Sequence, residues 1–360
     1  MTPTALLSER LRAHRLTAPA RTPVDAARHM LAVQSQDFVA GRWALGARSS
    51  AATLRGVDRA FARGDLVRTW TMRGTLHIVP ASDLRWVLSI TAERQLRQAA
   101  ARHRELGIDS EMLGRVERRL REVLADGGRT RTQLFADIEG LGIDPTGQRG
   151  VHLLCALSLR GVLVQGPVVR RPDAVSREQL FVLADEHVPE SPSPDDPLAE
   201  FFIRYLDGHG PAGVTDFAWW TGLPVSVARE AAERAAGRVR EVGPGVFMAL
   251  SAPRRARGAD DAEIRALPMF DEYYISYADR SPVASADAAA RIGPGKNGMV
   301  RASLVAGGRI VGAWTHSAAV GRHREEPTAE LFGEEIDPAV LGVDSAAVSA
   351  ALRRYADFLA

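Results

Sequence analysis

The feature that most constrains this chain is a repeated order of elements. Short amphipathic helices are closed by glycine or proline turns, and two apolar strands follow around a tight bend. The clearest copy starts after the Pro/Ser/Asp-rich stretch VPESPSPDDP at 188–197, which has the composition of a linker. LAEFFIRYLDGHG is an amphipathic helix ending in glycine, and VTDFAWWTGLPVSVAREAAERA reads helix, Gly-Leu-Pro turn, helix. VREVGPGVFMAL, at 239–250, adds two short strands around Gly-Pro-Gly. Helix, helix, helix, hairpin is the grammar of a winged helix.

The same grammar precedes it. A helix over 110–125 leads into GGRTRTQLFADIEG, a helix through RGVHLLCALSLRG, and strands VLVQGP and QLFVLAD. A looser copy covers the N-terminal region, with helices expected over 4–15, 23–36 and 52–63 and strands LVRTW and TLHIVP. Beyond about residue 266 the character changes. LPMFDEYYISYADR is followed by MVRASLVAGGRIVGAW, whose Gly307-Gly308 turn signals a β-hairpin, and a helix over 344–359 closes the chain. The expected fold is α+β: three tandem winged-helix units over 1–109, 110–190 and 191–262, a small β-rich domain over 263–330, and a closing segment over 331–360.

Composition narrows the function. At 360 residues the chain exceeds one hydrophobic core, and 46% hydrophobic with 25% charged residues is ordinary for a soluble protein. Its apolar runs are too short to span a bilayer, and MTPTALLSERLRAHRL lacks the basic start and long apolar stretch of a secretory signal, so a cytoplasmic protein with no membrane partner is expected. The lone Cys155, in VHLLCALSL, can form neither an internal disulfide nor a multi-thiolate metal site, and reads as a packed thiol. HExxH, P-loop, GxSxG and spaced Cys/His patterns are missing from the sequence, so no metal or other cofactor is expected. Net charge is only +2, but Lys296 is the single lysine, so nearly all positive charge is guanidinium, suited to phosphate and base edges. A GC-rich genome would produce the same bias. Tandem winged helices present several helices and wings to a duplex, which makes DNA the expected partner.

One stretch in the first unit does not look like core. LAVQSQDFVAGRW, residues 31–43, follows the helix start Thr22-Pro23-Val24-Asp25 and carries Gln34, Gln36 and Asp37 at the end of an apolar run. Residues two apart lie about 200° apart on a helix, so the two amides share a face only where the helix ends or distorts. They either satisfy backbone groups at a buried helix terminus or point into one cleft.

VQSQD after an N-terminal helix, WTMRGTLHIVPASD on a wing, DFAWWTGL in a helix-turn-helix and PMFDEYYISYADR together resemble the AlkZ/YcaQ superfamily of winged-helix DNA glycosylases, over nearly the whole chain. The resemblance implies a crescent of winged helices with a C-terminal β-domain, and a monofunctional glycosylase releasing N7-alkylated purines from double-stranded DNA, bulky adducts or interstrand crosslinks included, in repair or self-resistance. The superfamily's signature is Gln-x-Gln in the AlkZ type and Gln-x-Asp in the YcaQ type, so Gln34-Ser35-Gln36 matches the AlkZ type. The middle position, usually apolar in the family, is Ser35 here. The two amides are the expected catalytic pair. Asp37 is kept in second rank, as a general base or as a cap or partner of an arginine such as Arg42 or Arg73.

The expected DNA contacts are Arg42, Arg68, Thr71, Arg73 and His77, in and beside the VRTWTMRGTLHIVP hairpin, and Arg291, Lys296 and Arg301 around the Gly/Pro-rich loop RIGPGKNGMVRASL. In FDEYYISYADR, Asp271 and Glu272 read as braces of a domain junction. Trp43 reads as core. The other function compatible with this grammar is a non-enzymatic transcriptional regulator, which would bind a short palindromic operator, commonly as a dimer; the glycosylase is expected to be a monomer.

Overall fold

The computed structural model describes residues 1–251, 263–318, 321–333 and 343–360. It begins with the helices Pro3–Ala13 and Pro23–Met30, the second capped as its sequence predicts: Thr22 Oγ1 accepts from Asp25 N, and proline opens the first turn. The helix expected to continue to 36 stops at Met30. Leu31 takes φ +63° and ψ −50°, and Ala32 N donates to Met30 O at 2.8 Å. This is a γ-turn of the rare, strained hand. The chain leaves it extended, as the short strand Val33–Gln34, and then enters a helix not foreseen in the sequence, Phe38–Ala47, capped by Asp37.

After the helix Leu54–Ala62, the strands Leu66–Met72 and Thr75–Pro80 form the first wing. Arg73 and Gly74 make its two-residue turn, both at positive φ. A second unforeseen helix, Leu84–Glu105, leads to the second unit: helices Ser110–Leu124, Arg131–Glu139 and Arg149–Leu159, then strands Leu163–Val168 and Gln179–Leu183. The two wings are not separate. Arg68 pairs with Gln165, joining them in one five-stranded sheet with Val33–Gln34 on one edge and Gln179–Leu183 on the other.

The third unit follows its expected grammar, with helices Pro197–His209, Val214–Thr221 and Val225–Arg234 and a sheet of Ala212–Gly213, Val246–Ala249 and Val239–Gly243. In DFAWW, Phe217 and Trp220, one turn apart, are buried with Phe201, Phe202 and Tyr205, while Trp219 stays half exposed. The C-terminal domain is a four-stranded antiparallel sheet in the order Thr328–Leu331, Arg309–Thr315, Ser303–Ala306, Arg265–Leu267, closed by the helix Ser345–Leu359. The expected boundary at 262/263 falls at a segment outside the described residues.

This domain shares a core with the first unit: Leu7, Leu11 and Trp43 pack with Leu304, Trp314, Tyr355 and Phe358. Trp43 is core as read, its Nε1 donating to Ala266 O at 2.8 Å. Asp271 binds Arg48 through both oxygens at 2.8 Å, a buried pair bracing the junction. Among the described residues no helix is long and apolar enough to cross a membrane.

Candidate active site in the cleft between the first two units

Gln34 ends the short strand Val33–Gln34, Ser35 N extends its ladder by one hydrogen bond to Leu76 O, and the chain bends at Gln36, so Gln34 and Ser35 fall on opposite sides and Gln36 follows at the bend. Ser35 is buried and sits so close to Gly41 that a Cβ there would lie 2.2 Å from its Oγ. The backbone is fixed from several directions. Ser35 N donates to Leu76 O at 2.7 Å, Arg68 Nε donates to Ser35 O at 2.8 Å, and Arg68 Nη2 donates to Gln36 O at 3.3 Å.

Gln36 is exposed, and its Oε1 accepts from Leu76 N at 3.3 Å. It lines a cleft of about 830 Å³ between the first and second units. Gln34 is not among the residues that line the cleft; it is 9% exposed, with Oε1 accepting from Arg73 Nη2 at 2.8 Å. Asp37 also lines the cleft, but Oδ1 accepts from Ala40 N at 2.9 Å as the helix cap and Oδ2 accepts from Arg177 Nη2 at 2.7 Å. Both oxygens are occupied, which favours the capping reading of this residue.

The cleft is basic and partly apolar. Arg68, Arg131, Arg171 and Arg177 line it against Asp37 and Glu178, and both carboxylates are paired, Asp37 with Arg177 and Glu178 with Arg171. Trp70, Leu76, Leu154 and Phe181 form its apolar wall. Cys155 is there too, a thiol whose burial pushes its pKa up to about 12, so it is protonated and poorly nucleophilic. Arg131, Arg171 and Arg177 are absent from the sequence-based site. In an arginine-rich chain only the fold distinguishes them.

The expected DNA contacts divide by burial. Arg42 is fully buried, with Nη1 on Asp58 at 2.7 Å, Nη2 on Ser176 O and its guanidinium over the Phe38 ring, so no phosphate reaches it. Thr71 and His77 are also fully buried. Thr75 O can only accept, so His77 Nδ1 carries a proton shared between Thr75 O at 3.1 Å and Thr71 Oγ1 at 2.9 Å; Nε2 accepts from Arg73 Nη2 at 3.4 Å. Burial, then the Arg73 charge, lower the His77 pKa to about 3, keeping the ring neutral. Arg73 itself is directed inward, onto Trp220 O and Gln34.

Arg68 also donates from Nη1 to Gln165 Oε1 at 2.6 Å; burial foremost lowers its pKa to about 10, leaving it cationic. These two arginines hold the Ser35 and Gln36 carbonyls and the Gln34 side chain, Arg68 buried at the cleft wall and Arg73 half-buried. Arg291 pairs with Asp287 at 2.9 Å and Arg301 with Glu330 at 2.6 Å, while Lys296 lies on the exposed loop 294–299. None of these last three lines the cleft.

Tandem winged helices with a basic cleft between the first two define a protein of the winged-helix DNA-binding class. The family model for AlkZ-like DNA glycosylases matches residues 27–358, and the chain belongs to that family; it is a DNA glycosylase. A relative from Streptomyces sahachiroi, described as an interstrand DNA cross-link repair glycosylase, is 25% identical over 303 residues, covering 81% of this chain and 81% of the relative. The solved structure of Streptomyces sahachiroi DNA glycosylase AlkZ matches with a TM-score of 0.72 at 21% identity, over 98% of this chain and 97% of that one, which is a likeness of fold.

Proposed function

We propose that this glycosylase is monofunctional and hydrolyses the N-glycosidic bond of N7-alkylated, cationic purines in double-stranded DNA, acting as a cytoplasmic monomer in repair of alkylation damage or in self-resistance. The observation that carries the reading is Gln36, an exposed amide on a fixed backbone at the wall of a basic cleft, two positions from the Gln34 amide that Arg73 holds. The size and apolar wall of the cleft support bulky adducts as substrates, and the description of the Streptomyces relative supports interstrand crosslinks among them.

A guanine alkylated at N7 already carries positive charge and leaves readily, so the protein has little need to protonate the base. What remains is to place a water against the anomeric carbon and to stabilise the oxocarbenium-like sugar. A carbonyl oxygen has two lone pairs. Gln36 Oε1 uses one on Leu76 N and Gln34 Oε1 uses one on Arg73, leaving each a second for a water proton and a negative dipole for the sugar cation. Asp37 serves as the cap and as the partner of Arg177. The hydrogen bonds of Arg68 to the Ser35 and Gln36 carbonyls and of Arg73 to Gln34 hold the pair in place.

The test offers duplexes containing N7-methylguanine, N3-methyladenine and uracil side by side, with alkaline heating to reveal abasic sites. The cationic bases are excised and uracil is not. Gln34→Ala and Gln36→Ala each lower excision with duplex binding retained, Gln36→Ala by roughly 100-fold, the usual cost of one preorganised dipole. Asp37→Asn keeps most activity. Excision of uracil at the same rate, or a collapse in Asp37→Asn as deep as in Gln36→Ala, would overturn the amide mechanism.

A further inference from the structure

The chemistry above makes no use of Glu272, a buried carboxylate next to the Asp271 brace. Glu272 opens the short helix Glu272–Ile275 and is fully buried. Its Oε1 accepts from Gln34 N at 2.6 Å; its Oε2 accepts from Trp220 Nε1 at 3.0 Å and from Ser276 Oγ, with His209 Nε2 at 3.7 Å. Burial alone would raise its pKa. The His209 imidazole and the Arg73 charge outweigh burial and hold it below the usual carboxylate range, so the group is ionised.

The contacts form a closed ring. Gln34 N donates to Glu272, Trp220 Nε1 donates to Glu272, Arg73 donates to Trp220 O, and Arg73 donates to Gln34 Oε1. A residue of the catalytic strand is thereby tied to the third winged helix and to the first turn of the C-terminal region, 238 positions away in sequence.

We infer that Glu272 is a positioning residue for hydrolysis, clamping the edge strand that ends in Gln34 and leads directly into Gln36. This rests on the proposed role of the two amides. Two observations show why a clamp is needed. Val33–Gln34 is an edge strand of two residues, and because Ser35 N points inward to Leu76 O, Gln34 N points outward, where no strand can receive it. Glu272 takes the place of that missing strand. The strand is also entered through Leu31, a non-glycine residue at φ +63°, a conformation that costs about 1–3 kcal/mol and persists only when its surroundings over-determine it. Released, the segment can relax towards the helix its sequence suggests, which would set Gln34 and Gln36 about 200° apart and dismantle the arrangement that Arg73 and Leu76 N now hold.

The experiment compares wild type, Glu272→Ala, Glu272→Gln and Asp271→Asn. It reads single-turnover excision of N7-methylguanine with enzyme in excess, affinity for lesion-free duplex, and hydrogen exchange of the peptide spanning residues 31–38, all below the melting temperature of every variant. Glu272→Ala is expected to lose roughly 100-fold in the single-turnover rate, the scale of an ångström of misplacement. Its duplex affinity stays within about twofold, and exchange at Gln34 accelerates. Glu272→Gln, which keeps an oxygen for Gln34 N, recovers part of both the rate and the protection. Asp271→Asn, which loosens the neighbouring junction without touching Gln34, lowers the melting temperature but leaves exchange at Gln34 slow.

An unchanged single-turnover rate in folded Glu272→Ala, or losses of rate and protection matched in Asp271→Asn, overturns the inference. So does unaltered exchange at Gln34. If Glu272→Ala does not fold, Glu272→Gln decides on the same exchange criterion. A wild type inactive on N7-methylguanine sinks the proposed substrate instead, and the exchange comparison still reads the clamp.

Discussion

Ser35 shows how finely the site is set at single residues. Its side chain is buried against Gly41, and its Oγ has no hydrogen-bond partner. A buried hydroxyl with no partner costs about 1–3 kcal/mol, so an apolar group is the natural occupant of this position. Ser35→Ala is expected to stabilise the fold by about 1 kcal/mol, read as a higher denaturant midpoint with an unchanged m-value. A lower midpoint would mean that the hydroxyl has a partner after all. Glutamines 34 and 36 and Asp37 were legible in the sequence as unusual polar groups beside core. Their directions were not, because direction depends on a backbone angle at Leu31 that no residue type announces. Arg42, Thr71 and His77 were misplaced for a related reason: a cation or imidazole near a hairpin reads as a surface group, and only the fold supplies the Asp58 carboxylate, the Ser176 carbonyl and the Thr75 carbonyl that make burial tolerable.

Among the elements, the helices with strong apolar periodicity and clear caps were readable, and the third unit matched its grammar throughout. Two helices escaped. Phe38–Ala47 is apolar on nearly every side because it is buried on nearly every side, so it shows no amphipathic stripe. Leu84–Glu105 buries only Leu84, Trp86, Val87, Leu88, Thr91 and Gln95, and its second half is exposed and arginine-rich without a pattern. The fusion of the two wings was equally invisible, since it depends on one pairing, Arg68 with Gln165. That pairing makes Gln165 consequential. Its Oε1 accepts from Arg68 Nη1, and the same guanidinium holds the carbonyls of Ser35 and Gln36. Gln165→Met leaves a nine-tenths-buried cation short of an acceptor, which costs about 1–3 kcal/mol of stability. Excision falls with it, because Arg68 then re-aims towards another acceptor. A Gln165→Met protein with wild-type stability and rate would show that the wings are joined by the sheet alone.

Across the whole molecule the chain closes on itself: the first unit and the C-terminal domain share one core, and the cleft opens between the first unit and the second. Ala318, from the segment between the strands Arg309–Thr315 and Thr328–Leu331, reaches the cleft wall, so the C-terminal domain helps to line it. The modest net charge of +2 conceals this arrangement, because many surface arginines are neutralised locally, as Arg291 is by Asp287 and Glu330. In the cleft the positive charge is less fully paired: Arg131 is exposed, and Arg171 and Arg177 are each held by a single carboxylate, which is the surface proposed to meet DNA. Each phosphate neutralised releases counterions and steepens the fall of affinity with salt. Arg131→Ala should therefore lower the slope of log K against log salt by about 1 for any duplex sequence, while Arg291→Ala leaves it unchanged. A sequence-selective regulator predicts the opposite pattern: weakening confined to one operator, with the largest effects on the exposed face of the Val225–Arg234 helix. Salt titration of wild type, Arg131→Ala and Arg291→Ala on two unrelated duplexes separates the two. Equal slopes in all three proteins would remove the cleft as the seat of DNA binding.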